Sequence, residues 1–424
     1  MLTKAPKGTK DILPAQTYKW NFVEGVFDEI CRKYGFQEIR TPVFEHTELF
    51  ARGVGDTTDI VEKQMYTFDD YAGRSLTLRP EGTASVVRAF VENKLYAGVQ
   101  PSKYYYEIPC FRYEKPQSGR LREFHQFGVE VFGSSDMITD AEVISLGADF
   151  LAELGIRNVE LHINSIGCPD CRPNYRELLK DFLRPKYDEL CDTCRGRFDR
   201  NPMRILDCKS PVCQELVKGA PMMLDHLCES CSGAFETLKE YLNAFEIDYV
   251  VDAGIVRGLD YYTKTAFEFV SGNIGAQGTV CGGGRYDNLI CELGGPPAPG
   301  VGFGLGIERL LMVAEAEGFK IPAPAGADAF IVCAGTGCKT AGIALLKRLR
   351  KAGMHAEMDG MDRNMKGQLK QADRAGARYT LIIGEDELRL NKVSLKDMTS
   401  GEQRLVGMHD VEEEIRGGIN GRTI

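Results

Sequence analysis

The run FRYEKPQSGRLREFHQFGVEVFG, residues 111–133, gathers side chains suited to an anionic ligand around one loop. Arg112 stands just before the loop, where a guanidinium can fork two hydrogen bonds onto a phosphate or a carboxylate. The loop adds Lys115, Gln117, Arg120 and Arg122, enough donors to hold the end of a polyanion. Beyond it the residues read as a strand of period two. Arg122, Phe124, Gln126, Gly128 and Glu130 share one face, and Glu123, His125, Phe127, Val129 and Val131 the other. The second face is mostly apolar and suits a core. The first sets an amide and a carboxylate across a glycine, which makes either a gap for a small polar ligand or a solvated face.

Two further stretches invite the same question. VRGLDYYTKTAFEF, residues 256–269, reads as a strand yet carries Arg257, Asp260 and the adjacent Tyr261 and Tyr262. Alternation directs Tyr262, Lys264 and Glu268 one way and Tyr261, Thr265 and Phe267 the other, and neither side is purely apolar. GVGFGLGIERL, residues 300–310, ends its glycines just before a helix bearing Glu308 and Arg309. No Gly-Lys-Ser/Thr follows, and the spacing is not that of a dinucleotide fingerprint. Its small residues either pack a strand on a helix or let a nucleotide approach while Arg309 reaches a phosphate.

Cysteine usage points elsewhere. Eight of the 14 cysteines fall between residues 168 and 231, as Cys168-x2-Cys171, Cys191-x2-Cys194, Cys208-x4-Cys213 and Cys228-x2-Cys231. This density reads as metal binding before disulfides in a chain expected to be cytoplasmic, since the lysines of MLTKAPKGTKDILP precede no apolar stretch. The pattern suits one or two structural tetrahedral thiolate Zn²⁺ sites, or else a reduced helical insertion with incidental thiols.

Elements must position these groups. A helical pattern from Thr17 to Tyr34 ends at Gly35, and the strand-like FQEIRTPVFE follows with Pro42 as a bend or edge. SLTLRPEGTASVVRAFVENK passes from a strand through a turn into a helix, with Thr83 as its expected N-cap. Residues 140–155 read as a helix. The cysteine-rich stretch, 168–240, interrupts a β-rich body as an inserted subdomain would. After the linker FKIPAPAGADAF, strands and helices alternate in a module of residues 326–424, so the expected domains are 1–325 and 326–424.

Bulk numbers exclude little. The 424 residues are 43% hydrophobic, and no apolar run is long enough to span a bilayer. Net charge is −9, yet residues 326–424 hold 16 Lys+Arg against 14 Asp+Glu. A polyanion partner is therefore allowed, through local contacts. In the C-terminal module Arg363, Lys366, Lys370 and Arg374 fall at helical spacing, as a solvated face or a phosphate-contacting stripe.

Together these stretches resemble a known family. FRYEKPQSGRLREFHQFGVEVFG is similar to motif 2 of class II aminoacyl-tRNA synthetases, GVGFGLGIERL to motif 3, and the region around Pro42 to motif 1, which in that class builds a dimer interface. KGTKDILP, RPEGTASVVRA, VRGLDYYTKTAFEF and GGGRYDNL narrow the resemblance to the histidyl-tRNA synthetase family, over nearly the whole chain. It implies an α+β fold: an antiparallel sheet of six or seven strands flanked by helices, with the cysteine-rich insertion and a C-terminal α/β anticodon-binding domain. It implies histidine activation by ATP with Mg²⁺, transfer to the 3′ end of tRNA(His), and a homodimer.

Roles carried over by this resemblance are specific. Glu81, Thr83 and Gln126 should hold the substrate α-amino group. Glu130 and Tyr262, with Tyr261 beside them, should meet the imidazole. Arg112 should bind the α-phosphate and Arg309 the γ-phosphate, and Arg257 matches the family's catalytic arginine. The loop from Gln117 through Arg120 to Arg122 should grip the tRNA end. The resemblance assigns no metal to the cysteines. A non-catalytic regulatory subunit of ATP phosphoribosyltransferase shares the same core, but typically lacks the C-terminal module and the arginine of the histidine strand. Synthetases for proline, threonine or glycine share the class, but Glu130 and RGLDYY argue against them.

Overall fold

The computed structural model describes residues 3–55, 58–272 and 278–420, and the chain divides into two compact units, residues 1–321 and 322–424. In the first unit, strands β1 (Gln37–Glu38), β2 (Ser102–Phe111), β3 (Glu123–Phe132), β4 (Val159–Ser165), β5 (Val250–Val251), β6 (Thr263–Ser271), β7 (Thr279–Arg285) and β8 (Gly300–Gly306) form one sheet. Their order is β1-β2-β3-β8-β7-β6-β4-β5. The six inner strands pair antiparallel, as the sequence pattern implied. The two-residue edge strands each add a parallel pair, which are too short to leave a sequence signal.

Alternation decides what each face of the sheet does. Phe127, Val129 and Val131 of β3, Phe267 and Phe269 of β6, and Val301, Phe303 and Leu305 of β8 all enter one buried cluster. Helices Pro14–Lys33, Met137–Glu153, Glu229–Ala244 and Ile307–Ala316 cover that face with Phe27, Phe150, Leu238 and Leu310. The intervening residues of β3, Gln126, Gly128 and Glu130, face the other way, so the polar face read from the sequence is a real one. A smaller sheet of Phe44–His46, Tyr66–Asp69 and Ser75–Leu78 stands beside this body. Of the strand-like run 36–45, only Gln37–Glu38 and Phe44–Glu45 lie in strands, with Pro42 in the break between them.

Arg285, at the end of β7, is fully buried. It is paired with Asp140, donates to the Ser134 carbonyl at 2.9 Å, and reaches Asp287 at 3.2 Å. A guanidinium can be buried only when its donors are met in this way.

The segment 168–240 is a helical insertion, with helices Arg172–Leu183, Asp192–Arg197 and Pro211–Leu216 leading into Glu229–Ala244. The second unit holds a five-stranded sheet in the order 356–358, 329–334, 379–384, 392–397, 403–407. Its first three strands are parallel and helix-connected, and the last two extend it as an antiparallel hairpin. No described helix is long and apolar enough to cross a membrane.

Three local expectations are corrected. The strand read over 256–269 begins only at Thr263, because Arg257 takes a positive φ of 60° that breaks the extended chain before it. Residues 256–262 are a loop leading into the sheet, so Tyr261 and Tyr262 do not alternate across it. Thr83 is not the cap of its helix but its first residue. Glu81 caps instead, its carboxylate accepting the Thr83 and Ala84 backbone N–H groups at 2.8 and 2.9 Å. Arg363 precedes the helix Met365–Arg374, so only Lys366, Lys370 and Arg374 form the helical stripe.

Candidate active site

A pocket of about 240 Å³ opens on the polar face of the sheet. Glu81 and Thr83 line it from a turn and a helix start, Arg112 from the end of β2, and Gln126 from β3. Arg257, Tyr261 and Tyr262 enter from the loop before β6, and Arg309 from the helix after β8. Arg120 also lines the pocket, while Gln117 and Arg122 do not.

Each arginine is fixed in place before any ligand arrives. Arg257 pairs with Glu268, whose other oxygen accepts the Thr279 hydroxyl at 2.7 Å. Burial works against its charge, but Glu268 outweighs that penalty and holds the guanidinium above its usual range. Arg112 donates to the Pro80 carbonyl at 2.8 Å and lies 5.2 Å over the Phe124 ring. Arg309 donates to the Thr279 carbonyl at 2.6 Å, and burial, then repulsion from Arg120, lowers its pKa. Its neighbour Glu308 accepts the His125 backbone N–H at 3.0 Å, tying this helix to β3.

Glu130 occupies an unusual place. It is fully buried and does not itself line the pocket. Its carboxyl accepts the Thr83 hydroxyl at 2.7 Å, the Tyr106 hydroxyl at 3.0 Å, and the Tyr286 hydroxyl. Burial pushes its pKa up to about 8 against these hydrogen bonds. Thr83 therefore connects the pocket wall to a carboxyl behind it.

Glycines make this arrangement possible. A Cβ at Gly302 would stand 2.1 Å from Glu130 Oε2, one at Gly304 2.0 Å from Gln126 Nε2, and one at Gly282 2.4 Å from the Arg257 guanidinium. Glycines 302 and 304 thus open space for side chains of the adjacent strand as well as for a ligand. Tyr106, Tyr286, Glu268 and Thr279 were not singled out by sequence reasoning. Tyr106 had a signal: in the β2–β3 register it stands opposite Gly128, whose missing side chain leaves room for its ring.

The loop residues sort by what already holds them. Gln117 is exposed in a tight turn with Arg120, and the Arg120 guanidinium pairs with Glu114 at 3.0 Å. Arg122 stacks 3.7 Å over the Tyr113 ring, and its backbone N–H donates to the Gly8 carbonyl at 2.7 Å. The KGTKDILP stretch thereby buttresses the loop. In the second unit Arg363 is pinned by Asp359 and Gln371 at 2.5 and 2.7 Å, while Lys366, Lys370 and Arg374 are exposed. In the insertion, two groups of four cysteines are arranged so that each could hold a metal ion.

Comparison with known proteins gives the family and the fold. A family model described as histidyl-tRNA synthetase matches residues 8–186 and 204–310, and an anticodon binding domain model matches 328–417. The chain is 56% identical to a histidine–tRNA ligase of Caldanaerobacter subterraneus subsp. tengcongensis, over 98% of this chain and all of that one. A Clostridioides difficile histidine–tRNA ligase is 53% identical over 98% of this chain and 99% of its own. The crystal structure of apo S. aureus histidyl-tRNA synthetase superposes with a TM-score of 0.84 at 41% identity, covering 98% of this chain and all of that one.

Proposed function

The chain belongs to the histidyl-tRNA synthetase family, and from that premise we infer that it is an aminoacyl-tRNA ligase joining L-histidine to tRNA(His). In the first step a carboxylate oxygen of histidine attacks the α-phosphorus of ATP. The bond to the bridging oxygen breaks, and pyrophosphate leaves; a Mg²⁺ bound with the ATP would offset the charge on its oxygens. In the second, a ribose hydroxyl at the tRNA 3′ end attacks the adenylate carbonyl and AMP departs.

The observation that carries this reading is the convergence of Arg112, Arg257 and Arg309 on the same pocket as Glu81, Thr83 and Gln126. Two anions are forced together in the first step, and fixed guanidinium groups stabilise the added charge without reorganising. Arg257 is assigned to the carboxylate and α-phosphate as the catalytic group, Arg112 to the α-phosphate and Arg309 to the γ-phosphate. Glu81, Thr83 and Gln126 take the α-amino group. Tyr261 and Tyr262 take the imidazole, and Glu130, which lies behind the pocket wall, acts through Thr83, whose hydroxyl its carboxyl accepts. A substrate lacking the imidazole N–H leaves buried polar groups unpaired, which can discriminate by roughly 10⁴ or more.

Gln117, Arg120 and Arg122 are assigned to the tRNA acceptor end, and Arg363, Lys366, Lys370 and Arg374 to its anticodon region. A homodimer through the Pro42 region and a cytoplasmic location belong to the same reading. The regulatory-subunit alternative is disfavoured by the presence of Arg257 and of a C-terminal unit matched over 328–417. Histidine-dependent ATP–pyrophosphate exchange tests the assignment, with the other amino acids as controls. Exchange with histidine alone is expected; histidine binding without exchange would mark the regulatory class.

A further inference from the structure

The eight cysteines of the insertion separate into two groups of four: Cys168, Cys171, Cys228 and Cys231, and Cys191, Cys194, Cys208 and Cys213. The grouping is nested. The outer set takes the cysteines where the insertion leaves and rejoins the body, and the inner set lies wholly between them. Within each set the sulfurs lie within 4.8 Å of one another, and two of the four residues are buried.

Distances favour an ion over disulfides. Cys168–Cys171, Cys168–Cys228 and Cys191–Cys208 stand 3.6, 3.9 and 3.8 Å apart, sulfur to sulfur. A disulfide requires about 2.05 Å. Four sulfurs at about 2.3 Å from a tetrahedral ion lie about 3.8 Å from one another. Backbone amides also point at the sulfurs. The Cys228 N–H donates to Cys171 Sγ at 3.2 Å, and the Cys191 and Ser210 N–H groups donate to Cys213 Sγ and Cys208 Sγ, each at 3.4 Å. Such bonds favour thiolate over thiol. An all-thiolate tetrahedral set, without an open position, is the donor set of structural Zn²⁺.

Both groups reach toward the pocket. Helix Arg172–Leu183 starts directly after Cys171, and the Arg172 guanidinium donates to the carbonyls of Tyr262 and, at 3.3 Å, Ile166. From the inner group, Arg197 pairs with Asp59 at 2.6 Å, and the Asn201 amide donates to Asp260 at 2.8 Å. Asp260 stands between Leu259 and Tyr261, both of which line the pocket.

We propose that the insertion binds two Zn²⁺ ions at independent tetrathiolate sites, an outer and an inner one, and that the metal-set insertion braces the pocket-lining segment Arg257–Tyr262 from both sides. The outer ion closes the insertion at its root, and the inner ion shapes the short helix that ends in Arg197 and the turn after it that carries Asn201. The ion lies away from the reacting atoms and holds structure, not substrate.

The full-length protein, expressed without added metal and dialysed, is assayed for metals by mass spectrometry. Two zinc equivalents per chain are expected. Cys171→Ser with Cys231→Ser should lose one, and Cys194→Ser with Cys213→Ser the other. Should either variant fail to fold, Co²⁺ exchange into the wild-type protein gives an independent reading, through the thiolate charge-transfer and tetrahedral d–d bands of two sites. One equivalent, no metal, or iron in place of zinc overturns the proposal. Bracing is read separately from Asn201→Ala, which should keep both zinc ions and raise the KM for histidine about fivefold with little change in the KM for ATP. An unchanged KM overturns the brace. That second readout rests on the histidine-activating reading while the zinc count does not, so the two fail independently.

Discussion

The cations of the pocket and those of the C-terminal helix are the same residue types put to opposite use. Arg257, Arg112 and Arg309 are withdrawn from solvent and already hydrogen-bonded to Glu268, Pro80 and Thr279. Lys366, Lys370 and Arg374 are exposed along a helix. A buried, oriented guanidinium acts at full strength on charge that develops beside it, because no solvent must rearrange. An exposed lysine acts through a screened field and gives attraction with little geometry. The first arrangement suits a reaction and the second a long polyanion, and the difference lies in what each side chain already touches.

The largest expected effect attacks the preorganised side. Arg257→Ala should slow histidine-dependent pyrophosphate exchange about 10²–10³-fold while histidine binding is largely kept. Near-normal exchange would remove the contrast, since a buried arginine would then be mere structure. Next is Gly304→Ala. Its Cβ would meet the Gln126 amide at 2.0 Å, and overpacking of about 1–3 kcal/mol, falling on the histidine pocket, corresponds to roughly a 5–150-fold loss in kcat/KM for histidine. An alanine tolerated there would show that the Gln126 position is adjustable.

On the exposed side, replacing Lys366, Lys370 and Arg374 together by Ala should leave pyrophosphate exchange unchanged and weaken tRNA binding. The slope of log affinity against log salt should fall by up to about three. A salt slope equal to wild type would assign these residues to ordinary solvation. The last effect concerns stability and leaves the contrast itself untouched. The folded Glu130 carboxyl titrates at about 8, above its ordinary value of 4.5, so the fold keeps a proton that the unfolded chain releases. Its contribution is full below about pH 4.5 and is lost as pH rises toward about 8, on the order of a few kcal/mol. Denaturant midpoints of Glu130→Gln should therefore decline less over that window than those of wild type. Parallel curves would place the titration elsewhere.

Chemistry was legible in the sequence wherever it was local. The arginines around the loop, the two faces of β3, and the alternating module after the linker follow from spacing over a few residues. What escaped depended on distant chain. The loop conformation of 256–262 turns on positive φ at Arg257, a non-glycine residue whose type announces no such bend. Glu81 caps the helix from two residues before its start, and the Thr83 hydroxyl donates instead to Glu130, 47 residues away. Arg363 left the helical stripe because Asn364, the next residue, caps the helix, its side chain accepting the Gly367 N–H at 2.9 Å. The cysteines pair outer with outer, an arrangement their spacing left open. The roles of Gly302 and Gly304 are visible only in register with β3, where Glu130 stands opposite Gly302 and the Gln126 side chain reaches diagonally over Gly304.

Arg285 acts on the folding of this sheet as much as on its final stability. The side-chain period of a strand is two, so pairing β7 one residue out of step would turn Arg285 away from Asp140 and swap the faces of the preceding glycines. A charge stranded without its partner in a dry interior costs about 3–5 kcal/mol, more than most single contacts can recover. Misaligned pairings of β7 are therefore less stable than the native one. A salt bridge remote from the pocket thus works as a proofreading device for the sheet on which the pocket is built.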